Sequence, residues 1–540
     1  VIEADVIVVG SGASGVHAAW AVAEAGRSVA LVDVGERDRH YAHLIPPLDF
    51  LTLRRTDPDQ HRIFLGDDFE GVPFGPVRVG AQLTPPRQYL TRRADDLAPV
   101  LSAQDFAAMR SLALGGLAAG WGAASLPWLD EELADFPFDR ADLQPHYDRV
   151  AARVGICGAP DDLLGVLGPL DPLLPPAPLD SNAAAVLRRY NRRREHFRRR
   201  GLHVGRARLA LATRPFRGRG PCPLDDMDFW ADGARAVYRP RYTIEELEER
   251  FPRFRYLPGL FAETFHENAA EHYVEIDCRV LHDGSRTRLR GRRLVLAGGV
   301  FGTARIVLQS LGAGGRPRPL LSNAYTYFPA LDLNLVGKPV RDRRHSLSQL
   351  CMAYDPDGTR RHMVSAQLYS YRSLLLFKLV KESILSHADS IRILRQLSDL
   401  LVILGVHHED RPEPGKWLAL RPAAEGEVPA LDVHFRHCAR SLARQARDER
   451  RLRRFLLELG CLPLGVVRPG AGSSIHYAGT FPMRARGGPL TCAPDGRLRA
   501  TRLVHLVDGS GFPTLPAKGL TLTLMANADR VGRAVGEHLS

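Results

Sequence analysis

The sequence predicts an α/β fold at its N-terminus joined to a second region of mixed character, α+β overall. Three observations carry this. Ala4 to Val9 is a short apolar run, Gly10-x-Gly12-x-x-Gly15 follows it, and an alanine-rich stretch comes next. A short apolar run closed by glycine reads as a buried parallel strand. Residues 13–25 read as a helix that stops at Gly26, and Ser28 to Val32 as a second strand closed by Asp33. Together these segments make one βαβ unit.

The glycines have separate jobs in that unit. Gly10 makes the tight turn, Gly12 lets the backbone approach a pyrophosphate, and Gly15 lets helix and strand pack closely. Ala13 and Ser14 open the helix, whose unpaired N–H groups and positive dipole end favour an anion. Asp33 lies where an acid accepts hydrogen bonds from ribose hydroxyls. The motif predicts a bound dinucleotide and does not separate FAD from NAD. No second fingerprint is present to hold NAD(P)H in a domain of its own.

Further along, residues 40–100 are rich in Pro, Arg and Asp and read as long excursions over a ligand. Gly115, Gly116 and Gly120 belong to a glycine-dense loop, and the prolines of 159–179 mark a boundary. Arg293 to Ala297 reads as a strand, Gly298 to Gly302 as a turn, and Thr303 to Ser310 as a helix. Helical stretches are expected near 372–404 and 439–460, and a terminal helix from Thr521. The segment 374–394 is amphipathic and reads as a core helix pair; a membrane-facing or lipid-facing surface is the alternative.

Composition sets further bounds. The chain has 540 residues and a net charge of +12, with 73 Lys and Arg, only five of them Lys. The arginine run from Arg188 to Arg200 reads as a solvated helix face, and no nucleic-acid recognition fold accompanies it. Seven dispersed cysteines with no C-x-x-C pair fit the reduced thiols of a cytoplasmic protein, and no metal site is expected. The first strand starts within five residues of Val1, so no signal peptide is expected in the given sequence. No uninterrupted apolar run is long enough for a spanning helix.

Two C-terminal blocks complete the pattern: His476-x-x-Gly479-Thr480, and Asp508 to Thr514 followed by Thr521 to Ala528. With Gly10 to Gly15, Asp33, Gly115-Gly116 and Ala297 to Arg305, they make the chain resemble the glucose–methanol–choline (GMC) flavin oxidoreductases, in a bacterial polysaccharide- and natural-product-linked subgroup. The resemblance implies a Rossmann-like FAD-binding domain assembled from discontinuous segments (1–155, 240–314 and 466–540). It also implies a substrate domain with an antiparallel sheet and helices (156–239 and 315–465). The Gly115-Gly116 backbone would run along the cofactor, Asp508 and Gly509 would approach it, and Leu520 and Thr521 would aim a helix N-terminus at the flavin, favouring its anionic reduced form.

His476 matches the histidine that lies over the flavin in that family. A neutral imidazole there takes a hydroxyl proton while hydride leaves the carbinol carbon. The implied activity is oxidation of a sugar-like or natural-product alcohol, with oxygen or another redox partner as acceptor. One position departs from the pattern. The family's second polar partner, Asn or His, corresponds to Gly519, which has no side chain to offer. Lys518, a water or a substrate-domain residue is expected to take its place. Gly519 also motivates a rival reading, a flavoprotein of this fold with lyase- or decarboxylase-like chemistry. The pair His407-His408 reads as core or pocket lining. Near Gly220-Pro221-Cys222-Pro223, where subgroup members carry a cysteine cluster, only Cys222 remains.

Overall fold

The computed structural model describes residues 2–68, 84–102, 106–231, 233–338, 340, 342–370, 385–421, 423 and 428–539. Strand β1 (Ile2–Val9), helix α1 (Ala13–Glu24) and strand β2 (Val29–Val32) form the expected βαβ unit, with β1 and β2 parallel. The inner halves of both strands are fully buried, consistent with their unbroken apolar runs.

The sheet containing them has seven strands. Phe254–Leu257 lies beside β2, and the long strand Arg286–Leu296 lies beside β1, both parallel. That long strand forks. Its first half pairs antiparallel with Tyr273–Val280, which pairs in turn with Leu260–Asn268, and its last residues pair in parallel with Val504–Leu506. A strand from the C-terminal part of the chain thus completes the sheet that the N-terminus starts. Arg286–Leu296 begins earlier than its apolar part suggests, because its first half alternates arginine with smaller residues and lies at the rim.

The C-terminal helix Thr521–Glu537 packs along α1. Small residues permit the contact. A Cβ on Gly532 would lie 2.7 Å from the Ala18 carbonyl oxygen, and one on Gly536 would lie 2.8 Å from the Ala25 Cβ. The approach is therefore backbone to backbone, and it ties the chain's two ends together a second time.

A second sheet of six strands is antiparallel throughout. It runs Cys461–Pro463, Tyr325–Asp332, Leu401–His407, Val364–Ser370, Leu350–Tyr354 and Leu202–Arg206. Helices Ser181–Arg192, Arg194–Arg198 and Ala439–Glu458 cover it through Tyr190, Phe197, Leu452 and Phe455. The α/β class with a second, antiparallel sheet matches the architecture expected. The arginines from 188 to 200 are largely exposed, and Arg193, His196 and Arg200 converge on Glu458.

One expectation is corrected. The stretch near 372–404 is not a single helical region: His387–Leu397 is helix, while Leu401–His407 is a fully buried strand. Every residue of that strand is buried, so successive side chains of its apolar run Leu401 to Leu404 meet protein on both faces of the sheet, a setting that hydrophobic period alone does not distinguish from a core helix. Residues 374–384 of the amphipathic segment lie outside the described residues. Among the described residues no helix is long and apolar enough to cross a membrane.

The close helix contact makes a signed prediction. Replacing a helical glycine by alanine ordinarily gains about 1 kcal/mol. Here Gly532→Ala drives a methyl into the α1 backbone, and such overpacking costs about 1–3 kcal/mol. The thermal unfolding midpoint is expected to fall; a midpoint equal to or above wild type would mean that the two helices are not packed at this distance.

Candidate active site

A cavity of about 330 Å³ opens between the seven-stranded sheet and the C-terminal segments. It is walled by residues from across the chain, chiefly 9–14, 32–34, 109–113, 116–118, 120–122, 260–262, 297–302, 305–306, 474–477, 508–509, 520–521 and 524. The structure thereby brings together Gly10, Gly12, Ala13, Ser14, Asp33, Gly116, Gly120, Gly298, His476, Asp508, Gly509, Leu520 and Thr521. Gly15, Gly115, Lys518 and Gly519 are not on its wall.

At one end the glycine turn behaves as its spacing requires. Gly10 has φ +100°, and a Cβ there would sit 2.5 Å from the Ala297 carbonyl oxygen. A Cβ on Gly15 would sit 1.9 Å from the Gly10 oxygen, so Gly15 serves packing and not contact with a ligand. Gly12 meets nothing within 4 Å and leaves the N-terminus of α1 open, with no side chain capping its first amides. Gly115 (φ +91°) supports the turn from behind: its N–H donates to Ser11 Oγ at 2.8 Å. Gly116 comes so close that its Cβ would lie 3.2 Å from the Gly12 Cα.

Asp33, half-buried at the wall, accepts from the hydroxyls of Ser11 and Tyr256, the latter at 3.1 Å. Burial pushes its carboxyl up to about 7, the hydroxyl donors holding it lower than burial alone would. Asp508 is fully engaged by protein: Thr303 Oγ1 donates to it at 2.5 Å, Ser510 N at 2.9 Å and Ser510 Oγ at 2.6 Å. It fixes the turn that brings Gly509 against the Tyr477 carbonyl, 2.3 Å from where a Cβ would be. An open helix N-terminus, the Asp33 carboxylate on the wall and glycines that admit a close backbone fit a dinucleotide.

At the other end stands His476. Its presenter is Ile475, a β-branched residue in the left-handed region at φ +62°, which costs of order 1–3 kcal/mol and re-aims the chain. The His476 ring is half-buried and lines the cavity. Desolvation pushes its pKa down to about 4, and among the described residues no carboxylate is paired with it. Nδ1 meets Asn323 Oδ1 at 3.0 Å. The His407 ring lies parallel to it, centroids 4.8 Å apart at 17°. Nearby, the C-terminal helix starts at Thr521 with no side-chain cap, so its positive end opens toward the same space.

Lys518 is corrected by the structure. Its ammonium is fully buried away from the cavity, paired with Glu132 at 2.7 Å and donating to the Val166 carbonyl at 3.1 Å. Burial pushes the Lys518 amine down and the Glu132 carboxyl up, each partly offset by the other's charge. A buried amine finds its lowest free energy beside a carboxylate, and that takes it out of reach of a substrate. Gly519 is also off the wall: a Cβ would make ordinary contact, 3.5 Å, with the Ala124 carbonyl.

Sequence reasoning missed Asn323, and it left His407 as core or lining. Neither sits in a motif. Asn323 is placed by register: Leu321 and Ser322 pair antiparallel with Ala478 and Tyr477, which sets Asn323 opposite His476. His407 ends the buried strand Leu401–His407.

A model of the FAD binding domain family matches residues 5–44. A 6'''-hydroxyparomomycin C oxidase of Streptomyces lividus is 24% identical over 430 residues, covering 75% of this chain and 73% of that one. Pyridoxine 4-oxidase of Mesorbium loti shares the fold at TM-score 0.59 and 14% identity, over 98% of each chain. An R554K variant of formate oxidase from Aspergillus oryzae does so at TM-score 0.58 and 12% identity, over 99% of this chain and 98% of that one. Residues 5–44 thus match an FAD binding domain, and the whole chain shares the fold of the two solved oxidases.

Two predictions follow from the site. Lys518→Met strands the Glu132 charge and is expected to cost about 3–5 kcal/mol of stability, most of it regained in Lys518→Met/Glu132→Met. If the lysine alone abolishes flavin reduction in a stable, FAD-loaded protein, its structural role is wrong. The second concerns pH. His476, His408 and His505 are each held at about 4 by burial, below the usual 6.5. The unfolded chain therefore binds more protons than the folded one between these values, so stability is full above about 6.5 and is lost as pH falls toward 4. Thermal midpoints taken across that window are expected to drop steadily on acidification; a flat profile would contradict the burial of neutral imidazoles.

Proposed function

We propose, on the premise that the chain is an FAD-dependent oxidoreductase of GMC type, that it oxidises a CH–OH group of a sugar-like or natural-product alcohol with His476 as general base. The reading rests above all on the His476 imidazole, uncharged and lining the cavity that opens at the N-terminus of α1. Bound FAD supplies the two-electron acceptor for the hydride. The residues with which this chain would hold it are Gly12, Ala13, Ser14, Asp33, Gly116, Gly509 and Thr521.

The chain's own contribution is orientation and one proton. An imidazole with a pKa of about 4 is neutral at working pH and can accept the substrate's hydroxyl proton. The uncapped N-terminus of Thr521–Glu537 favours negative charge gathering nearby. The S. lividus relative, by its name, acts on a hydroxylated paromomycin, and this favours a sugar-like substrate here. The segments 1–155, 240–314 and 466–540 would then form the cofactor half and 156–239 with 315–465 the substrate half. Dispersed thiols favour a cytoplasmic site of action, and a biosynthetic role suits the substrate class.

Anaerobic mixing of the FAD-loaded enzyme with sugar-like alcohols tests the reaction class. Bleaching of the flavin's visible band supports oxidation, and product without bleaching supports the lyase-like alternative. His476→Ala is expected to slow flavin reduction about 10²–10⁴-fold with FAD retained. An unchanged rate would remove His476 from the base role.

A further inference from the structure

Asn323 is buried, with 2% of its surface exposed, in the turn between the short strand Leu321–Ser322 and the strand Tyr325–Asp332. Its amide nitrogen faces three carbonyl oxygens: His408 at 2.7 Å, Pro516 at 3.0 Å and Leu515 at 3.3 Å. Carbonyls only accept, so the nitrogen must point at them. Flipping the amide would set its oxygen against all three with no proton between them. The orientation of Asn323 is thus fixed by backbone from two distant segments, and its Oδ1 is left facing Nδ1 of His476 at 3.0 Å.

An amide oxygen can only accept as well. For the 3.0 Å contact to be a hydrogen bond, Nδ1 of His476 has to carry the proton. A neutral imidazole has a single N–H, so Nε2 then holds the free lone pair. The stacked His407 ring does not compete for that proton, because at 17° it shows His476 its face and not a nitrogen edge. Ser474 Oγ is engaged elsewhere, as acceptor from the His476 backbone N–H at 3.3 Å and beside Ser322 Oγ at 3.2 Å.

We propose that Asn323 is the positioning residue of this site: its anchored amide fixes the His476 tautomer with the proton on Nδ1 and keeps Nε2 as the nitrogen that takes the hydroxyl proton. The inference rests on the general-base reading for its use, though not for its geometry. In the reaction the substrate O–H bond would break as an Nε2–H bond forms, and bound FAD would supply the two-electron acceptor for the hydride of the carbinol carbon. The imidazolium then carries a proton on each nitrogen, with Asn323 still accepting from Nδ1.

The test is nitrogen-15 NMR of the FAD-loaded protein labelled at histidine, with His476 assigned by comparison with His476→Gln. In wild type His476 is expected to show a protonated Nδ1 and an unprotonated Nε2. Asn323→Leu removes the acceptor and is expected to lose that tautomer, giving a mixture or the Nε2–H form. A wild-type His476 protonated on Nε2 overturns the proposal, and so does Asn323→Leu with the tautomer unchanged. Should Asn323→Leu fail to fold, the wild-type spectrum still decides. Failure of the base reading is seen separately, as undiminished flavin reduction in His476→Ala beside a confirmed tautomer.

Discussion

An imidazole held inside the molecule with no carboxylate beside it among the described residues is the constraint on which this site depends. Desolvation makes charging the ring expensive, so His476 stays neutral where an exposed histidine would be partly protonated. A histidine paired with an acid is biased toward the imidazolium; His476 instead meets an amide oxygen and another imidazole. The arrangement keeps the lone pair available down to low pH and makes the acquired proton easy to give back. The same desolvation has a cost, because several neutral buried imidazoles make the fold sensitive to acid.

Holding such a ring in place requires segments remote in sequence. The turn carrying His476 is bound to Leu321–Ser322 by strand pairing and to Gly509 by the Gly479 N–H at 3.1 Å. Asn323 extends the connection to His408 and to Leu515–Pro516. Asp410 extends it further, accepting from the Ser322 N–H at 2.8 Å while its own N–H and carbonyl pair with Leu515. The antiparallel sheet, the glycine turns after 470 and the first sheet therefore meet at one ring. Backbone hydrogen bonds do most of this work, which is why so few of the positions involved have a distinctive side chain.

What could be read from the sequence follows the same division. Gly10, Gly12, Gly15 and Asp33 were legible because their reasons are local: each depends on a strand, a turn and a helix contiguous in the chain. His476 was legible through the Gly-Thr turn that follows it, and the apolar runs of the first sheet through their buried faces. Lys518 was misread because its partner Glu132 lies 386 residues away, and nothing near Lys518 announces a carboxylate. The strand Leu401–His407 was read as helix because burial on both sides removes the alternation that marks a strand. Asn323 was invisible for a related reason, since its role exists only once Ser322 pairs with Tyr477. Gly519 was conspicuous in sequence, yet it does not line the cavity.

The claim that most needs measurement is that the two ends of the chain enclose one isoalloxazine with His476 beside its reactive edge. A crystal structure of the FAD-loaded enzyme tests this most directly. The account predicts the pyrophosphate at the N-terminus of α1 and the flavin N5 facing His476 Nε2 across a gap that a single carbinol group fills. A flavin ring seated elsewhere, or one whose N5 is turned from Nε2 with protein between them, would contradict it.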